Sequence, residues 1–107
     1  MSDEQTKNTV FIGQKPVTAY VMACVTQFST LTAGEEIVLK ARGRAISRCV
    51  DVAEVLTRRF LEGTAEVIDI QISTENLEGR DGRKTNVSAI EITLRKKSPP
   101  AMSSKNE

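Results

Sequence analysis

The sequence has no histidine and no tryptophan, and it spreads one tyrosine and three phenylalanines over 107 residues. Without histidine, the commonest general base and most zinc sites are excluded. So few aromatics imply an aliphatic core. They also make a base-stacking platform a poor expectation, leaving shape and charge to carry any binding. Cysteine is equally scarce. Cys24 and Cys49 each fall inside a helical apolar pattern and are expected as buried thiols, not as a disulfide framework. No apolar run approaches the ~18 residues of a membrane span, and no signal-peptide core is present. The expectation is a soluble, cytoplasmic protein with no membrane partner.

Phosphate-loop, dinucleotide and nucleophile-elbow motifs are missing as well. Glu35 and Glu36 stand just before an apolar segment and read as surface solvation. The chain is therefore not expected to be an enzyme, nor to need a cofactor or metal. Its length allows one small domain, so any site is exposed or shared between subunits.

Charge is nearly balanced, at a formal net +1, but it is sorted along the chain. Residues 37–50 hold Lys40, Arg42, Arg44 and Arg48 and no acid. Residues 51–78 hold seven acids against Arg58 and Arg59, and residues 79–97 return six cations against Asp81 and Glu91. Such blocks create a local positive potential that the net charge conceals.

The patterns give an element order. TVFIG (9–13) is a short strand stopped by Gly13, and Pro16 opens a helix on which Val17, Tyr20, Val21, Cys24, Val25, Phe28 and Leu31 share a face. That helix carries no charge from 16 to 34, which favours cover on a second side by another copy. EIVLKAR (36–42) is a strand. A second helix over about 44–62 aligns Ile46, Cys49, Val50, Ala53, Leu56 and Phe60, and Gly63 stops it. Residues 64–74 and 85–97 alternate as half-buried strands, with Ile68, Ile70 and Ile72 in the first and Ile90, Ile92 and Leu94 in the second. Asp81-Gly82 makes the hairpin turn between them. The order is βαβαββ. Residues 1–7 and 98–107 read as disordered tails around a domain spanning 8–97.

A strand-helix-strand unit makes its strands parallel, so GQKP (13–16) and ARGR (41–44) emerge at one sheet edge. Each brings cations beside a helix N-terminus, where open backbone N–H groups already favour an anion. A third strand of ~35 Å outgrows a domain whose radius of gyration is ~13 Å, so the tip bearing Arg80, Arg83 and Lys84 should overhang the body. Such an arm suits a narrow, electronegative minor groove.

With VFIGQKPV (10–17), IVLKARGRAIS (37–47) and DGRKTNVSAIEITLRKK (81–97) in this order, the sequence resembles the Alba family, small nucleic-acid-binding chromatin proteins of archaea. The resemblance implies an α+β, two-layer sandwich with a mixed four-stranded sheet, like the C-terminal domain of translation initiation factor three, and a protruding β-hairpin. It implies a homodimer that binds double-stranded DNA and RNA with little sequence preference, coats and condenses DNA, and associates with the chromosome. The family's nucleic-acid-binding positions fall on Gln14, Lys15, Lys40, Arg42, Arg44, Arg80, Arg83 and Lys84. The dimer-dimer contact along DNA falls on Phe60, although helical pattern alone assigns that residue to the core. Many relatives carry two lysines where this chain has Gln14 and Lys15, so Lys15 is the candidate for acetylation. A paralogue is a possible heterodimer partner. Two other readings fit the same residues: an RNA-binding component of a ribonucleoprotein particle, and a protein-interaction scaffold whose cations only solubilise it.

Overall fold

The computed structural model describes residues 8–98. The expected tails at 1–7 and 98–107 lie outside the described residues, Ser98 excepted. Four strands and two helices follow in the expected order: β1 (Asn8–Phe11), α1 (Val17–Phe28), β2 (Glu36–Arg42), α2 (Ile46–Val55), β3 (Ala65–Glu78) and β4 (Lys84–Lys96). The sheet runs β1-β2-β4-β3, with β1 parallel to β2 and the other neighbours antiparallel.

Alternation in β2 and β4 sorts the two faces of the sheet. Ile37, Leu39 and Ala41 pair with Leu94, Ile92 and Ile90 and are buried beneath the helices, together with Val10 of β1 and Ile12 just after it. Against them α1 lays Val21, Cys24 and Phe28, and α2 lays Cys49, Val52 and Ala53, followed by Leu56 in the turn after it. The core is aliphatic apart from Phe28, as the composition requires. The C-terminus of α1 is closed from a distance: Lys96 Nζ donates to the carbonyls of Phe28 at 3.0 Å and Leu31 at 2.8 Å. That ammonium satisfies carbonyls left open where a helix ends.

Three expectations change in the fold. The second helix begins after a 3-10 turn at Gly43–Ala45, and its last turn widens into a π-turn over Leu56–Phe60, where the Leu61 N–H reaches the Leu56 carbonyl at 2.7 Å. The buried stripe is Cys49, Val52, Ala53 and Leu56. Val50 lies off it at 41% exposure, and Phe60 leaves it at 52% because one extra residue in the final turn swings the ring off the stripe.

The third strand is longer and less buried than its alternation suggests. It extends to Glu78, and every residue from 67 to 76 is exposed. A β-bulge places Ile68 as the extra residue between Val67 and Asp69, after which Ile70 and Ile72 stand opposite Ile92 and Ile90. Those two isoleucines thus lie on the helix side of the sheet, yet Ile70 is 58% and Ile72 80% exposed. The helices cover β1, β2 and β4 and stop short of β3, the edge strand.

The hairpin turn forms at Asp81-Gly82 as expected. Gly82 adopts φ +84°, which favours glycine, and Asp81 Oδ1 accepts from the Arg83 N–H at 3.0 Å.

Candidate nucleic-acid interface

Parallel pairing of β1 with β2 brings the two glycine turns together. Gly43, at φ +60°, reverses the chain after Arg42, and a Cβ at this position would lie 3.5 Å from a Val87 methyl. A cleft of about 760 Å³ opens where the strands end, lined by Gln14 from the first turn and by Lys40, Arg42 and Arg44 from the second. Four of the expected residues thus share one site. Lys15 is exposed on the same turn but does not line the cleft.

Two side chains not expected at the site from the sequence hold the turns in place. The Tyr20 hydroxyl accepts from the N–H groups of Gly13 at 2.8 Å and Lys15 at 3.0 Å. Arg48, at the start of α2, donates from Nη1 to the Gly13 carbonyl at 2.6 Å. The expectation that the first turn offers its backbone N–H groups to an anion is corrected accordingly: those of Gly13 and Lys15 are already occupied. Tyr20 was legible only as a core residue, since the turn it serves lies back along the chain from it.

The central cations also have partners. Arg42 Nη1 meets Glu75 Oε1 at 2.7 Å, and Lys40 Nζ meets Glu91 Oε2 at 3.4 Å. Both pairs are solvent-accessible, so each contributes little, in the range of about 0–1 kcal/mol. A phosphate can therefore displace the carboxylates at small cost. Arg44 makes no ion pair among the described residues and lies at the rim of the cleft. Alternation in the strands put Lys40 and Arg42 on the sheet face away from the helices, but only strand order set them beside Glu91 and Glu75.

The hairpin residues do not join the cleft. Arg80, Arg83 and Lys84 are exposed at the far end of β3 and β4, and Arg83 lies 3.4 Å from Asp81. Phe60 is exposed at the end of the π-turn, apart from both groups. Cys24 and Cys49 are fully buried in the core, and burial pushes their thiols up to about 12 and about 11. Neither is placed for chemistry at the cleft.

A mixed sheet backed by two helices, with paired basic turns at one edge and a long basic hairpin, defines a small α+β domain of the kind that presents charge on turns and arms instead of a catalytic pocket. The Alba family model matches residues 8–74, and the chain belongs to the Alba family. It is 57% identical over 89 residues to the DNA/RNA-binding protein Alba of Methanothrix thermoacetophila, covering 83% of this chain and 96% of that one. It is 54% identical over 91 residues to DNA/RNA-binding protein Alba 1 of Archaeoglobus fulgidus, covering 85% of this chain and 98% of the relative. Among solved structures, Alba from Thermoplasma volcanium superposes with a TM-score of 0.73 at 45% identity, over 82% of this chain and 99% of that one. These relatives carry binding-protein names, in keeping with the expectation of a protein that is not an enzyme.

Proposed function

We propose that this protein binds double-stranded DNA and RNA with little sequence preference, as a homodimer whose two clefts grip backbone phosphates. The observation that carries the reading is the convergence of Gln14, Lys40, Arg42 and Arg44 on one cleft. Relatives named as DNA/RNA-binding proteins support it. Arg and Lys on turns neutralise phosphates without reading bases, which gives affinity without sequence selectivity. Lys15 adds its charge from the rim, and its acetylation would remove that charge.

The hairpin carries Arg80, Arg83 and Lys84 away from the body, where they suit a minor groove beside the phosphates held by the cleft. Ile70 and Ile72 form the face on which a second copy docks, since large exposed aliphatic side chains mark interaction surfaces. A paralogue with the same face would fit in the same way. Phe60, exposed on the π-turn, joins neighbouring dimers along the nucleic acid, so coating and condensation of the chromosome follow from repeated contacts.

Fluorescence anisotropy with short duplexes of unrelated sequence tests the reading. Affinities should agree between sequences and fall steeply with salt, by about 0.9 in the log-log slope for each phosphate neutralised. A flat salt dependence, or strong preference for one sequence, overturns it.

A further inference from the structure

Phe11 ends β1 beside Lys40 of β2, on the sheet face away from the helices, and it is 72% exposed. An aromatic ring this open, at the end of a strand whose next residue is buried, contributes little to the fold. The ring forms one wall of the cleft, Arg42 and Arg44 supply cations, and Glu75 and Glu91 supply carboxylates from the far strands. A site that only held phosphate would gain nothing from two acids and an exposed ring. A nucleotide, by contrast, uses all three: its phosphate takes a cation, its base offers a flat face to the ring, and its edge offers N–H donors that only an acceptor can satisfy. One oxygen of each carboxylate is engaged by Arg42 or Lys40, which leaves Glu75 Oε2 and Glu91 Oε1 with no partner among the described residues. The volume, about 760 Å³, lies within the ~300–1,000 Å³ of small-ligand pockets.

We propose that this cleft takes an unpaired nucleotide, with its base stacked on Phe11 and its phosphate on Arg42 and Arg44. The inference rests on the reading of the cleft as a phosphate site. It adds that looped or single-stranded positions are held in preference to paired ones, because a base inside a duplex cannot reach the ring. Guanine suits the site, since its N1–H or N2–H₂ can donate to the open oxygen of Glu75 or Glu91.

The test compares two hairpins of equal length and charge, one fully paired and one with a looped-out guanine, each made as RNA and as DNA. Wild-type protein should bind the looped form of either backbone about 5-fold or more tightly than the paired form. In the Phe11→Ala and Phe11→Leu variants that difference should vanish, the affinities for the looped and paired hairpins converging. A looped-out 2-aminopurine should be quenched by the wild type and not by Phe11→Leu, which keeps apolar volume but lacks a ring. Equal binding of looped and paired hairpins overturns the inference, as does a preference that survives Phe11→Leu or a single-sugar preference that Phe11→Ala leaves intact. Binding to the paired hairpin alone leaves the phosphate reading standing while this one falls. Binding to neither hairpin overturns both.

Discussion

Arg48 donates from Nη1 to the Gly13 carbonyl at 2.6 Å, which ties the first turn of α2 to the turn that opens α1. One guanidinium thus fixes the spacing between the two basic turns. Arg48→Ala removes a partly buried, charge-assisted hydrogen bond and should cost about 1.5–3 kcal/mol of stability. Denaturant unfolding measures this. Duplex affinity should weaken as well, and Arg48→Lys, which cannot reproduce the planar fork, should recover only part of either loss.

Tyr20→Phe removes the acceptor shared by the Gly13 and Lys15 N–H groups. At about 0.5–1.5 kcal/mol per hydrogen bond, unfolding should show a loss of about 1–3 kcal/mol. Amide exchange at Gly13 and Lys15 should accelerate relative to the sheet.

Glu75 competes with phosphate for Arg42. Glu75→Gln removes the negative charge and keeps the shape, so affinity for duplex should rise, with the largest gain at low salt. Anisotropy titrations check the direction. An unchanged affinity would show that Arg42 does not meet phosphate.

Assembly should separate from folding at two exposed positions. Ile72→Asp adds a charge at an edge-strand position that is 80% exposed and should leave the monomer folded while abolishing the dimer, as read by light scattering after size exclusion. Phe60→Ala should alter stability by less than about 0.5 kcal/mol, because the ring is half exposed, yet reduce cooperativity along long duplexes.

Burial holds both thiols neutral, with Cys24 raised from 9.0 to about 12 and Cys49 to about 11. The folded state therefore favours the protonated thiol. Its contribution to stability is fully present below about pH 9 and is lost as pH rises toward 11–12. Native protein at neutral pH should resist thiol-modifying reagents that label both residues once it is unfolded. Replacing both cysteines with alanine should flatten the decline in stability between about pH 9 and about pH 11.

Much of the fold was legible because period and punctuation agree along the chain. Pro16, Gly63 and Asp81-Gly82 stand where the elements start, stop or turn. The sorting of charge pointed to the cleft, since Lys40 and Arg42 alternate with buried Leu39 and Ala41. Phe60 was less legible: it satisfies the helical stripe, and only the π-turn moves it into solvent. Ile70 and Ile72 alternate as a half-buried strand should, but alternation records which face a residue occupies, not whether a helix covers that face.

By itself the sequence determined the element order, the aliphatic core and the segregation of cations onto turns and a hairpin, because each follows from local periodicity and turn chemistry. The tertiary structure alone decided which charges meet. Arg42 faces Glu75 across 33 positions of chain, Arg48 reaches Gly13 across 35, and Phe11 lines the same cleft as the cations of another strand. Such contacts depend on strand order and on where the helices end, and no local pattern records either. The same physics left β3 uncovered. Two short helices span three strands, so the aliphatic face of the fourth is available to a second copy.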